Sequence, residues 1–404
     1  MPRTSAKTSA KTNDRQDPIQ LLTPQGEAVS DARLPFDPAD VDLPALYRDM
    51  VLTRRLDTEA IALQRQGELG LWPSLFGQEA AQIGAARALL PSDMVFPTYR
   101  EHGVAWCRGL DPASLLGLFR GTTLGGWDPR DVNFNLYTLV IGAQTLHAVG
   151  YAMGIVRDPV GPAVSAASTA AASAVLATPA TPAAPAAPAV LAFLGDGALS
   201  EGETNEAFIW ATTQSLPVVF FCQNNQWAIS APYSVQSTVP VAQRAAGFGL
   251  PGIRVDGNDV LACLAATRRA LHTARTGGGP TLIEAFTYRR NAHTTADDAS
   301  RYRETAEEKE WAAKDPLARL HAHLVATGAA DSAYSAYFAE IEAEAQTFAE
   351  GLRARCRALP EPDPSLPFEH TYAEMTPELS RQLAEHRAHL ASLQEISGPS
   401  GERA

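Results

Sequence analysis

The stretch that decides the fold occupies residues 190–225 and reads VLAFLGDGALSEGETNEAFIWATTQSLPVVFFCQNN. Its first five residues, VLAFL, and the later run VVFFC are wholly apolar, as is typical of short strands covered on both faces. Between them, Ser200 and Glu203 have the spacing of a capping box, which predicts a helix over about 201–214. Two strands joined by a helix form a β–α–β unit, and this unit requires parallel strands.

The same alternation continues outward from this stretch. Helical spacing of apolar residues predicts helices over about 43–66 and 77–89, and a further helix over 260–276. The run TLIEAF (281–286) follows a Gly-Gly-Gly-Pro segment and has the composition of another strand. The alternation predicts an α/β fold in which a parallel sheet is covered by helices on both faces.

A carboxylate and an amide oxygen stand directly after the first two strands. Gly195-Asp196-Gly197 follows one run and Asn224-Asn225 follows the other. Because parallel strands end at the same edge of a sheet, we expect Asp196 and Asn225 to lie close together. Both side chains offer the hard oxygen ligands that Mg²⁺ prefers, and Mg²⁺ completes its coordination with water and phosphate oxygens. Either motif alone is most often a simple turn, and it is their combination that favours a diphosphate-bound metal.

Composition narrows the classes of partner. The 404-residue chain has a net charge of −12, so electrostatics favours neither nucleic acid nor an anionic membrane surface. No long charge-free apolar run predicts a transmembrane helix. The four cysteines form no C-x-x-C pair, which argues against a zinc site and suits a reducing compartment. No G-x-G-x-x-G follows a strand, which disfavours a nicotinamide dehydrogenase.

The domain organisation is read from composition. Residues 1–42 are interpreted as a flexible N-terminal tail, whose basic start leaves a mitochondrial address as the alternative to a cytoplasmic location. Residues 43–385 form the domain, interrupted at 159–189 by a charge-free Ala/Pro insertion that we expect to be exposed and partly extended. An Ala-rich helix over 165–176 is the alternative within it. Residues 386–404 are interpreted as a C-terminal tail.

The stretch GDGALSEGETNEAFIWATTQSLPVVFFCQNNQWAIS resembles the thiamine-diphosphate motif of the alpha subunits of two-chain (E1) 2-oxo acid dehydrogenases. The resemblance extends over about 43–320, apart from the insertion, and implies the thiamine-diphosphate-binding fold. It implies that Asp196, Asn225 and the carbonyl of Trp227 hold Mg²⁺. Gly197 and Ala198 are implied to line the diphosphate.

Three further segments carry the resemblance. FPTYREHG resembles the family's diphosphate-binding segment, so Tyr99 and Arg100 are implied as phosphate contacts; a surface ion pair is the alternative for the arginine. LVIGAQTLHAVG resembles the loop that contacts the aminopyrimidine ring through the backbone of Leu139 and Ile141. In YRRNAHTTADDASRYR, His293 matches the histidine that contacts the diphosphate and assists reductive acylation. Without the resemblance, this last segment is a solvated loop closed by Arg–Asp pairs.

Some positions depart from the family or lie outside its motifs. Relatives carry His or Pro where this chain has Ala292. Thr294 stands where mitochondrial relatives carry a phosphorylated serine, so similar control stays open. His102 and His147 are interpreted as structural residues, because no partner is evident in the sequence.

The resemblance implies oxidative decarboxylation of a 2-oxo acid and transfer of its acyl group to the lipoyl group of an E2 acyltransferase. The glutamate that activates the cofactor belongs to the beta subunit in this family, so we expect an α2β2 heterotetramer and an inactive isolated chain. LVIGAQ and RQGELGLW resemble pyruvate dehydrogenases, which gives pyruvate as the substrate. GIRVDGNDV and NNQWAIS also resemble branched-chain enzymes, which leaves 3-methyl-2-oxobutanoate as the alternative. A non-catalytic assembly or regulatory subunit is the alternative from another class.

Overall fold

A parallel five-stranded sheet lies at the centre of the computed structural model, which describes residues 17–123, 126–158, 187–328 and 332–396. The strands are β1 (Met94–Phe96), β2 (Val190–Gly195), β3 (Val218–Asn224), β4 (Trp227–Ala228), β5 (Ala231–Pro232), β6 (Gly252–Asp256) and β7 (Thr281–Phe286). The sheet has the order β1-β2-β3-β7-β6, and each neighbouring pair is parallel. β4 and β5 form a separate antiparallel pair just beyond the end of β3.

Helices surround this sheet. They are α1 (Leu43–Arg65), α2 (Glu79–Ala86), α3 (His102–Cys107), α4 (Pro112–Arg120), α5 (Pro129–Val132), α6 (Ala143–Arg157), α7 (Gly202–Thr213), α8 (Tyr233–Gln236), α9 (Val241–Arg244), α10 (Val260–Arg275), α11 (Thr305–Ala312), α12 (Pro316–Thr327), α13 (Ser332–Arg357), α14 (Leu366–Glu369) and α15 (Pro377–Ile396). In the described residues, no helix combines the length and apolar character needed to cross a membrane.

The two faces of the sheet bury different hydrophobic clusters. Leu191 and Phe193 of β2 pack into a cluster that includes residues of α1, α2 and α10. The alternate residues Val190, Ala192 and Leu194 pack into a second cluster with residues of α6 and α7. Because successive side chains of a strand point to opposite faces, this division shows helices on both sides of the sheet. The predicted fold class is confirmed.

The local predictions hold best for the long or wholly apolar segments. The strands predicted at 190–194, 218–222 and 281–286 are β2, β3 and β7, whereas the three-residue β1 was not predicted. The predicted capping box is wrong: Glu201 is the N-cap of α7 and its side chain makes no cap hydrogen bond. Ser200 instead ends a 3₁₀ turn over Asp196–Ser200 that separates β2 from α7.

Part of the predicted N-terminal tail belongs to the packed structure. We predicted a flexible tail over 1–42, but from residue 17 onward the chain is described and packs against the domain. Ile19 extends the edge of β6, donating its N–H to the carbonyl of Arg254 at 2.9 Å. The Asp259 carboxylate accepts the N–H groups of Leu21 and Leu22 at 2.6 and 2.7 Å. Apolar burial and a buried N-cap therefore anchor a segment whose composition looked tail-like.

The other boundaries also differ or lie outside the description. The C-terminal tail was predicted to start at 386, but α15 continues to Ile396, so that boundary falls inside a helix. α13 packs along α1 and joins the C-terminal part to the domain. Of the Ala/Pro insertion at 159–189, all but the last three residues lie outside the described residues.

Candidate functional site

The carboxyl ends of β2 and β3 lie side by side, because the two strands pair in parallel with Gly195 opposite Gln223. Asp196 follows β2 directly and Asn225 follows β3 directly. Both residues are buried, with only 2% and 7% of their surfaces exposed. The backbone N–H of Asn225 donates a hydrogen bond to the Gln223 carbonyl at 2.9 Å, and the Asp196 and Asn225 side chains line one cavity. The two predicted metal ligands therefore meet at one edge of the sheet.

A cavity of about 150 Å³ opens at this edge. Nine of the ten residues predicted for the site line it: Tyr99, Arg100, Ile141, Asp196, Gly197, Ala198, Asn225, Trp227 and His293. Leu139 is not among the lining residues. Its surface is 68% exposed, and that of the neighbouring Val140 is 74% exposed. The segment that was predicted to contact the aminopyrimidine ring thus leads from the cavity, at Ile141, to an exposed apolar surface.

The Asp196 carboxylate is in a site suited to a cation. Burial raises its pKa to about 6, although hydrogen bonds from the Gln236 side chain and from backbone N–H groups act in the opposite direction. An ionised carboxylate in such surroundings is costly unless a positive charge compensates it. In the described residues no group of three or more His, Cys, Asp or Glu side chains could hold a metal ion. A metal here would therefore depend on phosphate and water oxygens for most of its coordination, as Mg²⁺ commonly does.

The third predicted ligand is already engaged. The carbonyl oxygen of Trp227 accepts a hydrogen bond from Nη1 of Arg289 at 2.9 Å. The amide oxygen of Asn225 likewise accepts the N–H of Trp227 at 3.2 Å. Each of these oxygens has two lone pairs, so one hydrogen bond leaves room for a metal on the other.

The two glycines that flank Asp196 differ in the space around them. A Cβ added at Gly197 would come within 2.9 Å of the Ala228 Cβ, so this position has no room for a side chain. A Cβ added at Gly195, which also lines the cavity, would meet no atom within 4 Å. Gly197 therefore allows close packing of the β4–β5 pair, whereas Gly195 leaves open space that a ligand can occupy.

Two arginines hold His293. Nη2 of Arg100 donates to Nδ1 of His293 at 3.2 Å and to its carbonyl at 3.1 Å, while Nη1 of Arg289 lies 3.4 Å from the same Nδ1. A guanidinium can only donate, so Nδ1 is the acceptor and the ring proton resides on Nε2. Burial, and then the charges of both arginines, lower the pKa of His293 to about 3. The residue is therefore a neutral imidazole that offers Nε2–H to a ligand.

Gln78 and Arg289 belong to the site and were missed by the sequence analysis. Gln78 is fully buried; its Oε1 accepts from Nδ2 of Asn225 at 3.2 Å, and its Nε2 lacks a hydrogen-bond partner. Arg289 is 1% exposed and its Nε is likewise unpartnered. Both line the cavity. Arg289 comes soon after β7, at the same edge as Asp196, so the strand-end argument could have found it.

The segment 72–75, which follows α1, supports the side of the cavity that carries Arg100. The Ser74 carbonyl accepts Nη1 of Arg100 at 2.6 Å. The Asp57 carboxylate in turn accepts the Ser74 hydroxyl at 2.6 Å, the Trp72 indole N–H at 2.8 Å and the Leu75 N–H at 3.0 Å. Burial raises the pKa of Asp57 to about 6, against the effect of these hydrogen bonds. Asp57 therefore fixes the backbone at Ser74, whose carbonyl accepts the hydrogen bond from the Arg100 side chain.

The structural interpretation of His102 agrees with its contacts. It is fully buried and stacks on Trp72 at 4.0 Å between ring centroids. Its Nε2 lies 2.9 Å from the Pro73 carbonyl and its Nδ1 lies 2.7 Å from the Tyr137 hydroxyl. Burial lowers the pKa of His102 to about 3. His147, also predicted to be structural, is exposed on α6.

Thiamine diphosphate with Mg²⁺ fits this donor set. The buried Nε2 of Gln78 and Nε of Arg289 are donors without a partner, as a diphosphate oxygen would require. Two guanidiniums supply positive charge for an anion on one side, and Asp196 supplies negative charge for a cation on the other. The open space at Gly195 gives such a group access to the backbone.

Comparison with known proteins gives a consistent result. A family model described as "Dehydrogenase E1 component" matches residues 47–350. The chain is 43% identical over 376 residues to the 3-methyl-2-oxobutanoate dehydrogenase subunit alpha of Mycobacterium tuberculosis, covering 93% of this chain and 95% of that relative. It is 36% identical over 375 residues to the pyruvate dehydrogenase E1 component subunit alpha of Acholeplasma laidlawii (90% and 98% covered). For the subunit of the same name from Bacillus subtilis, the identity is 38% over 308 residues, 76% of each chain.

Proposed function

The chain belongs to the family of dehydrogenase E1 components, and on that premise we propose that it binds thiamine diphosphate and Mg²⁺ as the alpha subunit of a 2-oxo acid dehydrogenase complex. The reaction is the oxidative decarboxylation of a 2-oxo acid, with transfer of the acyl group to a lipoyl group on an E2 acyltransferase. One observation carries the proposal: Asp196 and Asn225 line the same cavity as the basic pair Arg100 and Arg289 and the neutral His293.

The residues divide into those for the cation and those for the anion. Asp196, Asn225 and the Trp227 carbonyl are the ligands that we assign to Mg²⁺. Gln78, Arg100 and Arg289 lie along the cavity as donors for diphosphate oxygens. We assign Tyr99, Gly197 and Ala198 to the same diphosphate, as lining residues.

The chemistry comes from the cofactor and its placement comes from the protein. When bound, thiamine diphosphate supplies the nucleophilic carbon and the electron sink for decarboxylation. His293 cannot easily take up a second proton, because two guanidiniums face its Nδ1. Its part in the reaction is therefore to donate a hydrogen bond from Nε2, to the diphosphate or to the substrate.

A beta subunit completes the site in this proposal. The segment from Leu139 to Ile141 leaves the cavity with three exposed apolar side chains in succession. Contiguous exposed apolar side chains favour a protein interface. We therefore assign the exposed side chains of Leu139 to Ile141 to the interface with the beta subunit of an α2β2 heterotetramer. We assign the backbone of Leu139 and Ile141 to contacts with the aminopyrimidine ring.

The identity of the 2-oxo acid is a further part of the proposal. Both 2-oxo acids considered from the sequence occur in the names of relatives. The higher identity, 43% against 36–38%, is with the 3-methyl-2-oxobutanoate enzyme, and this supports placing the branched-chain acid ahead of pyruvate.

The test uses the chain co-expressed with a beta subunit from the same genome. We expect the purified complex to bind thiamine diphosphate only when Mg²⁺ is present, and to decarboxylate 3-methyl-2-oxobutanoate faster than pyruvate with a lipoyl acceptor. Faster turnover of pyruvate would reverse the choice of substrate. Robust turnover by the chain alone would refute the shared site, and an absence of Mg²⁺-dependent binding would support a non-catalytic subunit instead.

A further inference from the structure

One oxygen of the Asp196 carboxylate is held by a side chain that no sequence motif singled out. Nε2 of Gln236 donates a hydrogen bond to Oδ2 of Asp196 at 3.0 Å. Asp196 is 2% exposed, and Gln236 is partly buried beside it. The contact joins residues 40 positions apart in the sequence, so it depends on how the segment after β3 folds back over the strand end.

The orientation of the Gln236 amide is fixed by a second contact. The same Nε2 also lies 3.3 Å from the carbonyl oxygen of Ala231, which can only accept. A carboxylate at neutral pH and a carbonyl are both acceptors, so both N–H groups of the amide have a defined partner. A flipped amide would place its oxygen against two other oxygens, which disfavours that alternative.

Gln236 is attached to a compact piece of backbone. It ends α8, which follows β5 directly, and β5 pairs with β4, with Trp227 opposite Pro232. The N–H of Tyr233 donates to the Gln226 carbonyl at 2.8 Å, which closes the turn before α8. The Ala228 of β4 packs on Gly197. The amide that contacts Asp196 therefore belongs to the same unit that carries the carbonyl of Trp227.

We propose that Gln236 is a positioning residue that holds Oδ2 of Asp196, so that Oδ1 is the oxygen that faces the metal. This inference rests on the proposed function, because it requires Mg²⁺ at Asp196. Its physical basis is that a buried carboxylate with one hydrogen-bonded oxygen loses rotational freedom before the metal arrives. Partners of this kind orient metal ligands, and their removal typically lowers metal affinity roughly 10- to 100-fold.

The assignment has a second consequence for the β4–β5 unit. Because Gln236 connects Asp196 to the unit carrying Trp227, two ligands that are separate in sequence move together. Loss of the Gln236 amide would therefore loosen the geometry between these ligands as well as the carboxylate itself. Activity alone would not separate this effect from general damage, whereas the affinity for the metal would.

The test compares Gln236→Met with the wild-type complex of this chain and its beta subunit. Methionine keeps the length and the apolar stem of glutamine but has no N–H to donate. Gln243→Met, at an exposed glutamine on the neighbouring α9, is the matched control. The readouts are the Mg²⁺ concentration for half-maximal thiamine diphosphate binding, the affinity for Mn²⁺ measured by electron paramagnetic resonance, and the melting temperature.

We expect Gln236→Met to need roughly 10- to 100-fold more Mg²⁺ and to bind Mn²⁺ correspondingly more weakly, while its melting temperature without metal stays close to that of the control. Gln236→Asn, which keeps the donor on a shorter stem, should recover part of the affinity. An unchanged metal requirement in Gln236→Met, when the wild type shows Mg²⁺-dependent binding, would overturn the inference. A wild type that binds without Mg²⁺, or not at all, would instead remove the proposed function.

Discussion

The two sides of the cavity are built in different ways. The strand-end pair, Asp196 and Asn225, is brought together by one β–α–β unit within 30 consecutive residues. The arginine wall, formed by Arg100, Arg289 and His293, combines a segment before α3 with a loop after β7. One side presents the oxygen atoms that we assign to a cation, and the other presents the N–H donors that we assign to an anion. The comparison shows that an edge of oxygen donors can be local in sequence while the wall opposite it depends on tertiary packing.

The largest expected effect breaks the strand-end pair. Asp196→Asn keeps the shape of the side chain and an acceptor for Gln236 but removes the charge that attracts the metal. We expect cofactor affinity at a fixed Mg²⁺ concentration to fall on the order of 100-fold or more, measured by titration calorimetry of the complex. Stability without metal should not fall, because burial already disfavours the ionised carboxylate. Asp131→Asn, at an exposed position on α5, is the control.

Breaking the arginine wall should affect stability as well as affinity. Arg289→Met leaves the carbonyls of Trp227 and Ile229 without their donor, and the loss at the buried Trp227 carbonyl costs about 1–3 kcal/mol. We expect a lower free energy of unfolding in urea together with weaker thiamine diphosphate binding. Arg301→Met, at an exposed arginine of the same loop, should change neither. A variant at Arg289 that loses affinity alone would contradict the contrast between the two sides.

A pH experiment tests Asp57, which supports the arginine wall through Ser74. The pKa of Asp57 is raised by burial from 3.8 to about 6, so the folded state binds its proton more tightly than the unfolded state. Its contribution to stability is therefore fully present below about pH 3.8 and is lost as pH rises through 6. Relative to Asp57→Asn, the wild type should lose about 2 kcal/mol of unfolding free energy between pH 4 and pH 7. A constant difference between the two proteins over this range would show that Asp57 does not titrate in this way.

The smallest effects are expected from the two glycines at the strand end. Gly197→Ala places a Cβ against Ala228, and such overpacking typically costs about 1–3 kcal/mol. Gly195→Ala meets no atom of the chain, so we expect unchanged stability and weaker cofactor binding. Both glycines line the cavity, and melting temperature and cofactor titration measured on both variants will separate the one that also packs against Ala228 from the one that faces only open space. Equal behaviour of the two variants would contradict this distinction.

Sequence reasoning located the strand-end pair because its geometry is set by a short parallel unit. Apolar runs determine the strands, and the pairing of the strands determines where Asp196 and Asn225 meet. Gln78 could not be found in this way, because it reaches the cavity only through the packing of α1 and α2 around the sheet. The same holds for Ser74, which supports Arg100 from behind the cavity. Gln236 was missed because it lies on a four-residue helix, which is too short to leave a periodic pattern in the sequence.

The errors in the boundaries have a related cause. The segment from residue 17 is polar enough to resemble a tail, yet Leu22 is fully buried and the Asp259 carboxylate accepts its N–H. Similarly, Ser200 and Glu203 have the spacing of a cap, but the 3₁₀ turn after Asp196 shifts the start of α7 to Gly202. In both cases a tertiary contact or a local turn outweighed the preference of the sequence.

The central claim is that Asp196 and Asn225 together hold the cation that bridges to a diphosphate. The most direct test is anomalous diffraction from crystals of the complex with thiamine diphosphate, in which Mn²⁺ replaces Mg²⁺. We predict one manganese peak at about 2.0–2.2 Å from an oxygen of each side chain, as expected for an octahedral ion of this type. A manganese peak elsewhere in the cavity would contradict the account, and so would bound cofactor without a metal at these two residues.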